Sequence, residues 1–159
     1  MFRRRAAVVA LLAVVVGCGS SNDPAGAANQ FISTIQSSGY LAAGSVMCAE
    51  QRDAFTSQLQ ALTALSPGVD LNQVNSALHV TFANPVITTV STSANSAVVH
   101  VSADMTVTTD VAKLQQLLGP NAPDAPPTVT KHIDNDWNVT NENGTWKACS
   151  PPDAMLSGL

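Results

Sequence analysis

Hydrophobic positions along this chain follow two different periods, and the period changes near residue 80. Between residues 24 and 65, apolar side chains recur every three or four positions, a spacing typical of helices that bury one face. Between residues 99 and 107, apolar and polar side chains alternate strictly, which is typical of a strand with one buried face. The order of these patterns predicts helices first and strands afterwards.

Two helices are predicted before residue 66. Asp23-Pro24 is a typical helix start, because aspartate caps the first turn and proline suits the first helical position. Gly39 ends this helix before a bend. The second helix is predicted to run from Ser45 or Met47 to Leu65. Its apolar stripe puts Cys48 in the first turn, facing the core, and continues through Phe55, Leu59 and Leu62.

The second half of the chain predicts antiparallel strands. The first, near residues 80–90, is interrupted at Asn84-Pro85, which indicates an edge strand or a bulge because proline cannot donate to a ladder. Residues 99–107 and 129–139 form the next two strands, and Asn143-Gly144 predicts a type I′ hairpin into a last one. Short helical pieces are expected within 70–78 and 110–118, and a proline-rich loop at 119–127.

This order of elements predicts the α+β class, with two N-terminal helices packed on a curved antiparallel sheet of three to four strands. Along the last strand, alternation places Trp146 and Ala148 on the face opposite Cys149. We therefore expect either that Cys149 faces the helices while Trp146 covers the outer side, or that a bulge resets the alternation.

The N-terminus carries three arginines, Arg3 to Arg5, followed by an unbroken apolar run at residues 6–16. The run is too short to span a hydrocarbon core, which needs about 20 residues. It has the length of the apolar region of a secretory signal, and it stops at Gly17-Cys18. One interpretation is an ordinary signal peptide in which the cysteine occurs by chance.

The other interpretation rests on Val15-Val16-Gly17-Cys18, which resembles the lipobox of bacterial lipoproteins. In that family the signal is cut before the cysteine, whose thiol carries a diacylglyceryl group. The resemblance implies a signal peptide at 1–17 and a lipidated Cys18. The composition and pattern of the rest of the chain predict that 18–23 is the lipidated cysteine and a flexible tether, 24–150 a domain, and 151–159 a C-terminal tail. The lipobox resemblance also implies a partner, the membrane, reached through this lipid anchor at the extracytoplasmic face.

The charge of the chain excludes nucleic acid as a partner. Without Arg3 to Arg5 the chain keeps 4 basic residues against 11 acidic ones, which leaves no basic patch for nucleic acid. Charged residues make up only 11% of the sequence.

No phosphate-binding loop or metal-ligand spacing occurs, so we expect no cofactor and no metal.

Two cysteines, Cys48 and Cys149, remain after the anchor. An exported protein meets an oxidising compartment, so an even pair predicts a disulfide. Closing a loop of about 100 residues stabilises a fold by up to about 4.7 kcal/mol in the chain-entropy model. The alternative is two buried free thiols.

The closing segment Gly144-Thr145-Trp146-Lys147-Ala148-Cys149, together with the helical pair that carries Cys48, resembles the nuclear transport factor 2-like, or cystatin-like, domain of actinobacterial lipoproteins. Mycobacterial low-molecular-weight secreted antigens have a related ending. The resemblance covers roughly residues 24–150. It implies a cone between helices and sheet that could hold a small apolar ligand. The candidate lining residues are Phe31, Phe55, Leu59, Met105 and Trp137, although core packing explains the same residues.

Candidate catalytic groups lie on polar faces of predicted strands. His100 and Asp104 alternate with apolar residues on one strand, and His132, Asp134 and Asp136 do so on another, so all five are expected to face solvent. No catalytic residue is assigned. Three hypotheses remain, of which the first is favoured. The protein is a non-catalytic lipid-anchored domain that binds an envelope protein partner, a carrier or sensor of a small apolar ligand, or, least favoured, an isomerase-like enzyme.

Overall fold

A computed structural model describes residues 22–65, 68–119, 124 and 126–149 of the 159-residue chain. The helices are α1 (Pro24–Ser38), a 3-10 helix (Tyr40–Ser45), α2 (Ala49–Leu65), α3 (Leu71–Asn75) and α4 (Val111–Leu118). The strands are β1 (Leu78–Thr92), β2 (Ser96–Thr109), β3 (Thr128–Glu142) and β4 (Thr145–Ala148), and they form one curled antiparallel sheet in the order β1-β2-β3-β4. The predicted α+β fold class is confirmed.

Several predicted features fall outside the described residues. They are the signal peptide at 1–17, lipidated Cys18 with most of its tether, and the tail at 151–159. The proline-rich loop at 119–127 is described only in part. Among the described residues, no helix has the length and apolar character needed to cross a membrane.

Helix α1 forms and ends as its sequence predicts. The Asp23 carboxylate accepts a hydrogen bond from the Gly26 N–H at 2.8 Å, and Pro24 occupies the first helical position. Gly39 ends the helix with a φ of 81° and donates to the Ile35 carbonyl at 2.9 Å. Along its buried face α1 contacts all four strands, through Ala27, Ala28, Phe31, Ile32 and Ile35.

Helix α2 is placed differently. The predicted bend before it is a 3-10 helix, and α2 begins at Ala49, immediately after the buried Cys48. Phe55 is buried and packs edge to face on Tyr40 of the 3-10 helix, with ring centroids 5.3 Å apart. Most other described side chains of α2 are exposed. The second helix therefore rests mainly on the 3-10 helix, whereas α1 covers the sheet.

The two faces of the sheet are set by alternation along β2. We call the face packed against α1 the inner face; on β2 it carries Val99, Val101, Ala103, Met105 and Val107, all buried. The opposite, outer face carries His100, Ser102, Asp104 and Thr106. Burial of the inner face holds sheet and helix together. At its centre Phe31 packs edge to face on Trp137 of β3, with ring centroids 5.6 Å apart.

Strand β1 lies at an edge of the sheet and is irregular, as its proline predicted. Its register with β2 shifts between Ala83 and Val86 and again between Thr89 and Ser91. Asn84, just before the proline, has a φ of 50°. At the other end of the sheet, Asn143 and Gly144 have φ of 55° and 87°, which confirms the predicted hairpin between β3 and β4.

Candidate functional site

Cys48 and Cys149 are joined by a disulfide, with their Cα atoms 5.2 Å apart and 101 positions apart in sequence. The predicted bridge is confirmed. It connects the residue before α2 to the residue that follows β4.

The cysteines meet because two segments lie side by side at the β4 edge. The Cys48 N–H donates to the Ala148 carbonyl at 2.8 Å, and Met47 forms an isolated parallel bridge with Ala148. The Cys149 N–H donates to the Asn138 carbonyl of β3 at 2.7 Å. The backbone therefore brings both thiols to one edge of the sheet.

The expected orientation of Trp146 is wrong in both of its forms. Trp146 and Ala148 are both buried in the core, at 7% and 1% exposure. Cys149 reaches its partner without facing the helices, since Cys48 lies beside the end of β4. The sequence pattern gave the alternation correctly, but it could not show that residues 46–48 extend the sheet edge.

A polar depression of about 540 Å³ lies beside the disulfide. Its walls come from the start of α2, the β1–β2 hairpin and the adjoining part of β3. The side chains are mainly hydroxyl and amide groups, and Glu50 is the one acidic or basic residue among the described lining residues. Glu142 helps to fix this region, because its carboxylate accepts a hydrogen bond from the Ala49 N–H at 2.7 Å. Such walls suit a neutral hydrogen-bonding ligand better than an apolar one.

A second depression, of about 300 Å³, lies between the end of α1 and the start of β1. Gly39, Asn75 and His79 are among its lining residues. The Asn75 side-chain oxygen accepts a hydrogen bond from the Leu41 N–H at 3.3 Å, which ties α3 to the 3-10 helix.

Histidine and aspartate side chains pair across β2 and β3 on the outer face. His100 Nδ1 lies 2.9 Å from Asp136 Oδ1, and His100 Nε2 lies 2.8 Å from Asp134 Oδ1. A second pair joins His132 Nδ1 to Asp104 Oδ1 at 2.7 Å. All five side chains are between 40% and 61% exposed, as the alternation predicted.

The surroundings of His100 favour its charged form. Ionised carboxylates only accept hydrogen bonds, so donation to both aspartates requires a proton on each ring nitrogen. The hydrogen bond with Asp136 is the main cause that raises the pKa of His100 above its ordinary value of 6.5. Desolvation is the next largest effect and lowers the pKa, and the charges of Asp134 and Asp136 add to the net increase. A histidine held in this way has no free lone pair with which to act as a base.

The five candidate cavity residues belong to the core or pack against it. Phe31, Phe55, Met105 and Trp137 are between 2% and 4% exposed, and Leu59 is half-buried against the same cluster. None of the five lines either of the two depressions described above. Among the described residues, no group of three histidine, cysteine, aspartate or glutamate side chains is placed to hold a metal ion.

Sequence reasoning found the outer-face histidines but not their partners. Alternation placed His100 and Asp136 on the same kind of face of two strands. Their contact depends on the register, in which His100 lies opposite Asp136 and Asp104 opposite His132. Alternation along one strand places a residue on a face, but it does not by itself specify which residue of the neighbouring strand lies opposite.

Comparison with known proteins identifies no family for this chain. No family model matches the chain, and no curated protein matches it. Among solved structures, the intermembrane space region of the chloroplast protein ARC6 is similar, with a TM-score of 0.43 and 14% sequence identity. That alignment covers 77% of this chain and 83% of the other.

Proposed function

We propose that this protein is a lipoprotein held by diacylated Cys18 at the extracytoplasmic face of a bacterial cell membrane. In this proposal residues 24–150 form a non-catalytic domain that binds a protein partner in the envelope. The observation that carries the proposal is the Cys48–Cys149 disulfide, in a chain whose N-terminus resembles a lipoprotein signal. Disulfides persist in oxidising compartments outside the cytoplasm, which is where such a signal directs a chain.

The physics of anchoring supports the role assigned to Cys18. Each buried CH₂ contributes roughly 0.8 kcal/mol, so one acyl chain binds a membrane weakly whereas two hold durably. Only Asn22 and Asp23 of the described residues precede α1. The folded domain thus begins within a few residues of the proposed lipid, and its surfaces are presented close to the membrane.

The outer face supports a non-catalytic role. Both nitrogens of His100 are engaged by carboxylates, so neither is free for a substrate proton. The polar depression beside the disulfide contains hydroxyl groups of serine and threonine, but no histidine or lysine lies among its described lining residues to activate one.

Intact-mass spectrometry of the protein purified from its own host tests the anchor and the bridge together. We expect loss of residues 1–17, a diacylglyceryl addition at Cys18, and no alkylatable thiol before reduction. Detergent phase partition of the same preparation should place the wild type in the detergent phase. The Cys18→Ala variant should move to the aqueous phase or stay unprocessed.

A matched control separates the anchor from the fold. Cys149→Ala removes the disulfide but leaves Cys18 in place, so this variant should still partition with detergent. An unmodified N-terminus on the wild-type chain would refute the lipoprotein proposal. Two reactive thiols in the unreduced wild-type protein would refute the compartment argument instead.

A further inference from the structure

The second half of β1 is an exposed sheet edge. We call residues 86–92 the β1 edge segment. Val86 and Val90 are 57% and 59% exposed, and Ile87 is the one residue of the segment that packs on the core. On its other side β1 pairs with β2, and within the described chain no further strand adjoins it. The outer edge therefore offers backbone groups to another strand.

The β1 edge segment also lacks the charges that commonly protect such edges. Its sequence, Val-Ile-Thr-Thr-Val-Ser-Thr, consists of β-branched residues and one serine. Pro85 and one register shift precede the segment, and the second shift lies within it at Thr89–Ser91. From Leu71 to Ala103 the chain contains no aspartate, glutamate, lysine or arginine. The edge is thus neutral in an otherwise acidic protein.

We propose that the β1 edge segment pairs antiparallel with the same segment of a second copy of this chain. A neutral edge meets its own copy without charge repulsion, whereas it offers a charged partner strand no complementary group. The result is an isologous dimer with one eight-stranded sheet, in which the two β1 strands lie at the centre.

The symmetry of this pairing agrees with anchoring. The twofold axis that relates two antiparallel edge strands runs perpendicular to the sheet. Both copies of α1 therefore lie on the same face of the joined sheet, since α1 covers only the inner face. Two-fold pairing about any other axis would place the helical layers on opposite faces.

Seven residues form a small interface. Stable complexes bury about 1,200 Å² or more, and one short strand pair buries less, so we expect weak association in dilute solution. Here the inference rests on the proposed function, because a shared membrane raises the effective concentration of anchored copies. The test is therefore made with the full chain in its own membrane.

Single cysteines in the full chain test the pairing. With Cys18 acylated and Cys48 bonded to Cys149, an added cysteine supplies the one free thiol. Only the residue on the twofold axis lies opposite its own copy, so cysteine is placed in turn at each of the seven positions 86–92, since opposed residues of paired strands lie within disulfide range. We expect mild oxidation of host membranes to give a dimer at one or more of these positions, and reducing agent should abolish it.

Two control positions identify other arrangements. Thr130→Cys reports association through the outer face of β3, and Ser57→Cys reports association through α2. A dimer at either control equal to that at the segment would overturn the proposal. So would no dimer at any of the seven segment positions, or cross-links only to a protein of different mass.

A charge swap tests the edge without depending on one geometry. On the cross-linking background, Val90→Lys or Val90→Glu alone should lower dimer yield about fivefold, because the perpendicular twofold axis brings the two like charges onto the same face of the joined sheet. Co-expression of the two variants should restore the yield. Equal yields for the single variants and the mixture would contradict pairing at this edge.

Fractionation of the same cells separates the two proposals. Protein found in the aqueous phase that still cross-links at the segment refutes the anchor and leaves the dimer intact. Protein found in the detergent phase without any cross-link at the segment refutes the dimer and leaves the anchor intact.

Discussion

The inner and outer faces of the sheet share the same strands but are held by different interactions. On β2, Val99 and Val101 of the inner face are fully buried beneath α1. Between them, His100 of the outer face is 40% exposed and contacts two aspartates of β3. Burial of apolar surface stabilises the packing of the inner face. The outer face instead carries exposed histidine–aspartate pairs, which water and salt weaken. Substitutions on the two faces should therefore differ greatly in how much unfolding free energy they remove.

The largest effect is expected from Trp137→Ala on the inner face. Trp137 is 4% exposed and packs on Phe31, so its removal leaves a large cavity. Such substitutions cost about 3–5 kcal/mol. Thr130→Ala on the outer face of the same strand should cost less than about 1 kcal/mol. Urea denaturation of the three proteins measures the difference, and equal losses would mean that the inner face is not the main core.

Loss of the disulfide should come next. The Cys48→Ala/Cys149→Ala double variant should lose about 2–5 kcal/mol of unfolding free energy, because the unfolded chain regains the entropy of an open loop. Thermal denaturation with and without reducing agent measures this loss. Reducing agent should lower the melting temperature of the wild type to that of the variant and leave the variant unchanged. A wild type insensitive to reduction would argue against a bridge in the protein.

A smaller effect is expected where α1 ends. Gly39 has a φ of 81°, and a Cβ at this position would overlap the Asn75 side chain. Gly68 has a φ of 93°, but among the described residues no neighbour lies within 4 Å of such a Cβ. Gly39→Ala should therefore cost about 1–3 kcal/mol more than Gly68→Ala, the excess being overpacking against Asn75.

A second substitution isolates that contact. Adding Asn75→Ala to Gly39→Ala should recover part of the lost stability, although it also removes the hydrogen bond from the Leu41 N–H. The four proteins compared by denaturant titration give the coupling between the two sites. Equal losses of unfolding free energy for Gly39→Ala and Gly68→Ala would show that backbone strain alone accounts for both losses.

These comparisons also separate what the sequence could predict from what it could not. The cap at Asp23-Pro24 and the alternation around Val99 act within a few residues, so α1 and the inner face were predictable. Helix α2 starts later than its apolar stripe suggested, at Ala49, whose N–H is bound by Glu142, 93 positions away. Burial of Trp146 likewise depends on residues 46–48 lying beside β4. Contacts between distant segments decided both features, and no local pattern encodes them.

The same limit applies to the candidate sites. The bridge between Cys48 and Cys149 was predictable because only two cysteines remain after the proposed anchor. The cone lining was inferred from a family likeness, and the structure places those residues in or against the core. To predict that His100 pairs with two aspartates, one must know the β2–β3 register. That register follows from the inner-face pattern of both strands taken together.

The smallest predicted effect is a pH dependence that comes from the outer face. The pKa of His100 is raised in the folded protein, first by its hydrogen bond with Asp136. A raised pKa means that the folded state binds the proton more tightly, so the stabilisation is complete below the ordinary value of 6.5 and is lost as pH rises through the folded value. The unfolding free energy of wild type relative to His100→Gln should therefore fall from pH 6 towards pH 8.

Proton NMR of the His100 ring gives the direct measurement, since it reports the pKa without unfolding the protein. Asp136→Asn should lower the pKa of His100, because an amide removes both the charge and the best acceptor. Asp53→Asn removes one carboxylate from the exposed surface of α2 and should leave the His100 titration unchanged. A wild-type His100 that titrates at or below 6.5 would mean that its two aspartate contacts do not persist in solution. In that case the outer face would contribute to the molecule only as a solvated surface, and the contrast between the faces would be larger still.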